Sequence, residues 1–128
     1  MRSPFLDGRI ELWVDEGRPR RFGIRVQPHH CNGRGLAHGG FLSTLVDVAA
    51  GYTLAPLLPA SAVLVTTSLR TEFVGAARAG DWLESRVDRL RPGRRLGVVA
   101  GAWLRAGEEV VVFSASFLRL DADAAEAI

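Results

Sequence analysis

Asn32, Gly35, the His38-Gly39-Gly40 triplet and Asp47 fall within one short window of this sequence. Paired glycines ahead of an apolar stretch mark the start of a helix. Its first backbone N–H groups lack intrahelical partners there, and they can hold negative charge developing on a carbonyl oxygen. Asp47, about two turns further in, offers a carboxylate as general base or nucleophile. Each feature has an ordinary reading as well. Glycine is common at helix starts and in loops, and a helix aspartate most often lies on a solvated stripe. Ser43, Ala50 and Gly51 flank Asp47 with small side chains, which leaves room for a molecule to approach it.

The elements that must position these residues follow from periodicity. Ile10, Leu12 and Val14 alternate with polar or aromatic neighbours, residues 15–19 interrupt, and Phe22, Ile24 and Val26 alternate again, which predicts two strands and a turn. A polar loop follows over residues 27–37. From Gly40 to about Leu54, apolar residues at Leu42, Leu45, Val46 and Ala49 have helical spacing, and Pro56 and Pro59 end the run. Four further strands are predicted over residues 62–73, 81–90, 96–105 and 109–120, as antiparallel neighbours joined by short turns. The order β-β-α-β-β-β-β makes an α+β domain.

On the third strand Thr66, Ser68, Arg70 and Glu72 form a polar face opposite Val63, Val65, Leu69 and Phe73, so Thr66 can point a hydroxyl into a cleft. Arg91, Gly93, Arg94 and Arg95 stand in a Pro-Gly turn before Leu96. Such turns are usually solvated, but three guanidiniums there can clamp a phosphorylated ligand. The fifth and sixth strands are apolar on both faces, while one helix covers only one of them. A second copy is the economical cover, so a homo-oligomer is expected.

The 128 residues suffice for a single domain over 1–128, with a polar, alanine-rich tail at 121–128 that is expected to fray. The net charge is only +2, and all sixteen basic residues are arginine, so no nucleic-acid partner is implied. Cys31 is the one cysteine; no apolar run of membrane-spanning length or export signal is read, and a cytoplasmic location is expected. His29, His30, Cys31 and His38 fit no zinc spacing, so no metal is expected, and no Cys-His geometry supports Cys31 as a nucleophile.

The pattern Asn32-x-x-Gly35-x-x-His38-Gly39-Gly40-x-x-x-x-Leu45-Val46-Asp47 resembles the signature of hotdog-fold acyl-CoA thioesterases of the phenylacetate-degradation (PaaI-like) branch, in the 4-hydroxybenzoyl-CoA thioesterase superfamily. The resemblance extends through residues 65–73, 77–81 and 93–96, and so covers most of the chain. It implies a hotdog fold, with an antiparallel sheet wrapped around one long helix. It further implies assembly into homodimers or homotetramers with active sites between subunits, an acyl-CoA substrate and no cofactor beyond the coenzyme A that the substrate carries.

By position, Asp47 matches the catalytic carboxylate and Gly39 the residue whose N–H polarises the thioester carbonyl. Asn32 matches the residue that positions the thioester or the attacking water, and Thr66 the hydroxyl that holds that water. The resemblance also implies that His38 and Gly40 border the substrate. Phe73, Arg91, Gly93, Arg94, Arg95, Leu96 and Arg119 match positions lining the coenzyme A site.

Two other activities compete on the same scaffold. A hydratase or dehydratase needs a histidine paired with an acid, for which His38 is the candidate. A non-catalytic acyl-CoA-binding or sensing protein would leave Asn32, Gly39 and Asp47 together unexplained.

Overall fold

Alternation of inward and outward side chains builds a single sheet. Phe22 and Ile24, Val99 and Trp103, and Val111, Phe113, Ala115 and Phe117 all turn toward one buried layer. The computed structural model describes residues 3–17 and 19–121, so the expected frayed tail lies, beyond Asp121, outside the described residues. Its strands are β1 (Trp13–Asp15), β2 (Arg21–Arg25), β3 (Val63–Phe73), β4 (Trp82–Pro92), β5 (Leu96–Arg105) and β6 (Glu108–Leu120), with helix α1 (Gly39–Leu54) between β2 and β3. All neighbouring strands are antiparallel, in the order β1-β2-β4-β5-β6-β3. This is the hotdog architecture, with α1 as the filling.

One adjacency differs from the expected succession of hairpins. β3 does not pair with β4; it lies against β6 at the edge of the sheet, and the chain crosses between β3 and β4 through residues 74–81. The apolar β6 takes two long neighbours, β5 and β3. Val74 and Gly75 both donate backbone N–H groups to the Val110 carbonyl as the chain leaves β3. A side chain at Gly75 would come within 2.6 Å of the Glu109 carbonyl oxygen, so the crossing requires glycine there.

The faces of β3 also differ from a strict alternation. A bulge between Thr66 and Ser68 leaves Thr67 unpaired, and one extra residue reverses the facing of everything beyond it. Leu64 and Thr66 pair with Arg119 and Phe117, while Leu69 and Phe73 pair with Ala115 and Val111. Thr66 therefore shares the helix-side face with Leu69 and Phe73. Ser68, Arg70 and Glu72 turn to the other side, with Val63 and Val65.

Eight residues of α1 are buried, from Phe41 and Leu42 through Leu45, Val46, Ala49 and Ala50 to Thr53 and Leu54. Residues Gly39–Leu57 are long and apolar enough, at mean hydropathy 1.2, to meet the length and composition of a bilayer span. The stretch is not one apolar run, because Ser43, Thr44, Asp47 and Thr53 interrupt it, and a core helix passes the same test of length and average composition. In the fold this stretch packs on the sheet. Beyond the helix-covered face, Leu96 and Leu118 stay 48% and 37% exposed beside the half-buried Val98 and Ala100.

Candidate active site

The entrance to α1 is assembled by a loop tied down on several sides. His30 donates or accepts at both ring nitrogens: the backbone N–H of Gln27 reaches Nδ1 at 2.9 Å, and Nε2 meets the Arg9 carbonyl. Because Nδ1 accepts, the proton sits on Nε2 and the ring is neutral. Burial, the largest influence, lowers its pKa below the ordinary histidine value. The ring also stacks on Phe41 at 4.0 Å between centroids. His30 is thus a structural anchor for residues near Arg9, which His29 Nε2 contacts as well, at 3.0 Å. Among the described residues no cluster of three metal-ligating side chains forms.

Asn32 closes the next part of the loop. Its Oδ1 accepts from the Arg34 and Leu36 N–H groups at 2.9 and 3.2 Å, and Gly35 turns the chain at φ +77°, a conformation suited to glycine. Ala37 donates to the Ala77 carbonyl at 2.7 Å, Leu36 bridges Arg78, and His38 N–H reaches the His30 carbonyl at 2.8 Å. The carbonyl end of the Asn32 amide is therefore spent on the loop. The residue as a whole is exposed.

His38, not a glycine, is the N-cap. Its backbone is extended, and its Nδ1 accepts the Gly40 N–H at 3.0 Å. Of the two glycine amides at the helix entrance, that of Gly40 is taken up by the cap. Gly39 is the first helical residue, so its N–H points out of the helix end without an intrahelical partner. A Cβ on Gly39 would stand 3.6 Å from the ring of Phe73, which is 51% exposed. The fold thus gathers Asn32, His38, Gly39 and Phe73 around one helix end.

Asp47 lies elsewhere. It is half-buried in the third turn of α1, where Thr66 of β3 donates its hydroxyl to Oδ1 at 2.7 Å. The bulge just beyond Thr66 is what permits a hydroxyl here and apolar Leu69 and Phe73 further along the same face. Asp47 and Thr66 share a cavity of about 360 Å³ with Val48, Gly51, Tyr52, Leu64 and Phe117. Phe5 and Leu6 of the N-terminal turn line its outer side, which stays open to solvent in the single chain. None of these wall residues was singled out from the sequence except Gly51. Gly51 follows Asp47 by four residues, one helical turn, and was legible for that reason, whereas Phe5, Leu64 and Phe117 arrive from distant segments.

The arginine turn forms a third group. Arg91, Gly93, Arg94, Arg95 and Leu96 form the β4–β5 hairpin, where a Cβ at Gly93 would meet the Leu96 carbonyl oxygen at 2.3 Å. Arg119 N–H donates to the Arg95 carbonyl at 2.7 Å, which brings Arg119 to the same corner. The neighbouring Gly97 abuts Leu54, so this corner sits by the C-terminal end of α1, away from Gly39.

Comparison with known proteins agrees with this architecture. Residues 34–112 match the family described as Thioesterase superfamily. A Pseudomonas aeruginosa protein provisionally named an esterase is 42% identical over 122 residues, covering 92% of this chain and 89% of the relative. Among solved structures, a mutant of the phenylacetic acid degradation protein PaaI from Thermus thermophilus superposes with TM-score 0.79 at 27% identity, over 92% of this chain and all of the other. A Streptococcus pneumoniae protein named a hypothetical thioesterase, solved with coenzyme A, shares the fold at TM-score 0.78 and 21% identity, over 87% of each chain. With the family pattern across more than half its length and a relative at that identity, the chain belongs to the thioesterase superfamily and is a thioester hydrolase.

Proposed function

We propose that the protein hydrolyses acyl-CoA thioesters, with Asp47 as general base and the Gly39 amide as the oxyanion donor, in sites built between two copies of the chain. The observation that carries the reading is Asp47 held by Thr66 at 2.7 Å in the wall of an apolar cavity. Thr66 fixes Oδ1 and leaves Oδ2 to take a proton from water. The resulting hydroxide adds to the thioester carbonyl, the oxyanion rests on the Gly39 N–H, and collapse expels the CoA thiolate, which recovers the proton from Asp47. Thiolate leaves readily, so no strong additional acid is needed. Asn32 Nδ2 orients the thioester. The Arg91, Arg94, Arg95 and Arg119 corner supplies cations for the coenzyme A phosphates.

Helix geometry argues for two subunits. Gly39 and Asp47 stand eight residues apart on α1, or about 12 Å along the axis, too far for both to reach one C–S linkage. An isologous pair, with each copy lending Gly39 to the other's Asp47, removes the mismatch. The hydratase reading needs an acid paired with His38, and the hydrogen bond at its Nδ1 comes instead from the Gly40 amide.

Complementation tests the arrangement. Asp47→Asn and Gly39→Pro chains, each inactive alone, are co-refolded and assayed for thiol release. Shared sites restore about a quarter of wild-type activity, since half the dimers are mixed and each mixed dimer holds one intact site. No recovery would place the site within one chain. Binding of acyl-CoA without any thiol release by the wild type would make the protein a sensor.

A further inference from the structure

Gly51 is a glycine for which the fold has no evident use. At Gly23, Gly93, Gly97 and Gly101 an added Cβ would come within about 2.3 Å of a neighbouring atom, so packing explains the residue. At Gly51 the nearest atom is the Phe117 ring at 3.7 Å, an ordinary contact, and the backbone is helical. Alanine would fit and would hold the helix better. What the missing side chain does leave open is the cavity beside Asp47.

That cavity has a direction. It runs along α1 from Asp47 past Val48, Gly51 and Tyr52 to Ala55, about 12 Å by helix rise, with Leu64 and Phe117 from the sheet on one side. The outer wall is Phe5, 64% exposed, on a turn that Arg9 fastens through its Nη1 bond to the Phe5 carbonyl at 2.8 Å. Apolar walls suit the acyl portion of a thioester and not its phosphorylated carrier. At about 360 Å³ the space lies at the small end of ligand cavities, ~300–1,000 Å³.

We propose that Gly51 and Phe5 set the upper size of the acyl group, admitting a medium-length aliphatic chain or a single aromatic ring. The inference rests on the hydrolase reading above and names the substrate class for the same site. Gly51 is the inner gauge, because each carbon added there projects into the path of the acyl group. Phe5 is the outer gauge, because its exposed ring lines the open rim of the space without being needed by the core.

The test is kcat/KM across saturated acyl-CoAs from two to sixteen carbons, with benzoyl- and phenylacetyl-CoA, for wild type, Gly51→Ala, Gly51→Leu and Phe5→Ala. Gly51→Leu is expected to cut the rate on the preferred acyl group about 100-fold and to move the optimum to shorter chains. Gly51→Ala should do the same several-fold while melting at a higher temperature, so the result survives if the leucine variant does not fold. Phe5→Ala should extend activity to longer chains. Profiles parallel to wild type in all three variants, with turnover intact, would overturn the size assignment alone. Absence of thiol release by the wild type on every thioester would overturn the hydrolase reading and this inference with it.

Discussion

Gly39 and Asp47 sit on one helix, yet different contacts hold them. Around Gly39 the fixing interactions are dense and mostly backbone: His38 caps Gly40, Asn32 Oδ1 accepts two N–H groups, and the Ala77 carbonyl and the Arg78 bridge clamp the loop from behind. Around Asp47 the fixing contact is one hydroxyl from Thr66, on an edge strand, next to a bulge. An oxyanion donor gains from rigidity, because dipoles fixed in advance cost no reorganisation when charge appears. A base must change partners during turnover, and a single hydrogen bond lets it do so. Lesions at the two ends should therefore differ in size and kind.

The largest effect is expected at the carboxylate. Asp47→Asn is nearly isosteric and keeps an acceptor for Thr66, so it should fold normally while kcat falls about 10³-fold and KM changes little. Single-turnover hydrolysis in oxygen-18 water sharpens the assignment. Label confined to the product acid supports Asp47 as base, and label in the Asp47 side chain would replace it with direct attack. Gly39→Pro comes next. Proline suits the first helical position, and the extended backbone of His38 before it is compatible with proline. The substitution thus deletes one N–H with little else disturbed, and should cost about 10²–10³-fold in kcat with the circular dichroism spectrum unchanged.

Asn32 separates the two functions of one side chain. Asn32→Asp keeps the oxygen that Arg34 and Leu36 bind but loses the Nδ2 donor, so kcat should drop about tenfold without a change in melting temperature. Asn32→Ala should lose the same activity and a further ~1–2 kcal/mol of stability. Thr66→Val, measured alongside, should fall about tenfold, with Thr66→Ser close to wild type. If valine is as active as serine, the Thr66 bond does nothing for the base.

This contrast also explains what could be read from the residues alone. The His38-Gly39-Gly40 entrance and the Asn32 turn are local, with partners a few positions apart; residue type located the glycine entrance, and the family resemblance singled out Asn32. The imidazole cap on Gly40 escaped notice because a ring nitrogen acting as N-cap leaves no mark in the periodicity. The Asp47 end depends on contacts between distant segments. That β3 lies beside β6 and not β4 is decided by which pairings bury most apolar surface, and the even-odd pattern of residues 63–73 looks uninterrupted until the bulge at Thr67 reverses it. Phe5 and Leu6 reach the cavity through a turn fastened at Arg9, which no spacing within residues 1–10 announces.

The smallest effect belongs to the anchor behind the Gly39 end. His30 is buried, neutral and fully bonded in the fold, and burial lowers its pKa, so the unfolded chain takes up a proton there more readily than the folded one. Stability then rises with pH wherever the unfolded state binds more protons. The contribution is complete above the ordinary histidine value of 6.5 and is lost progressively as pH falls below it. Melting temperature should accordingly decline modestly from pH 7.5 to 5, and His30→Gln should flatten that slope while lowering stability at neutral pH. Because His30 holds the Arg9 segment and stacks on Phe41 but touches neither Asp47 nor Thr66, the variant should reduce kcat through a loosened helix entrance and leave the effect of Thr66→Val unchanged. Additivity of the two substitutions in kcat would show that the two ends are held independently, whereas coupling beyond about 0.5 kcal/mol would mean that the loop and the edge strand form one unit.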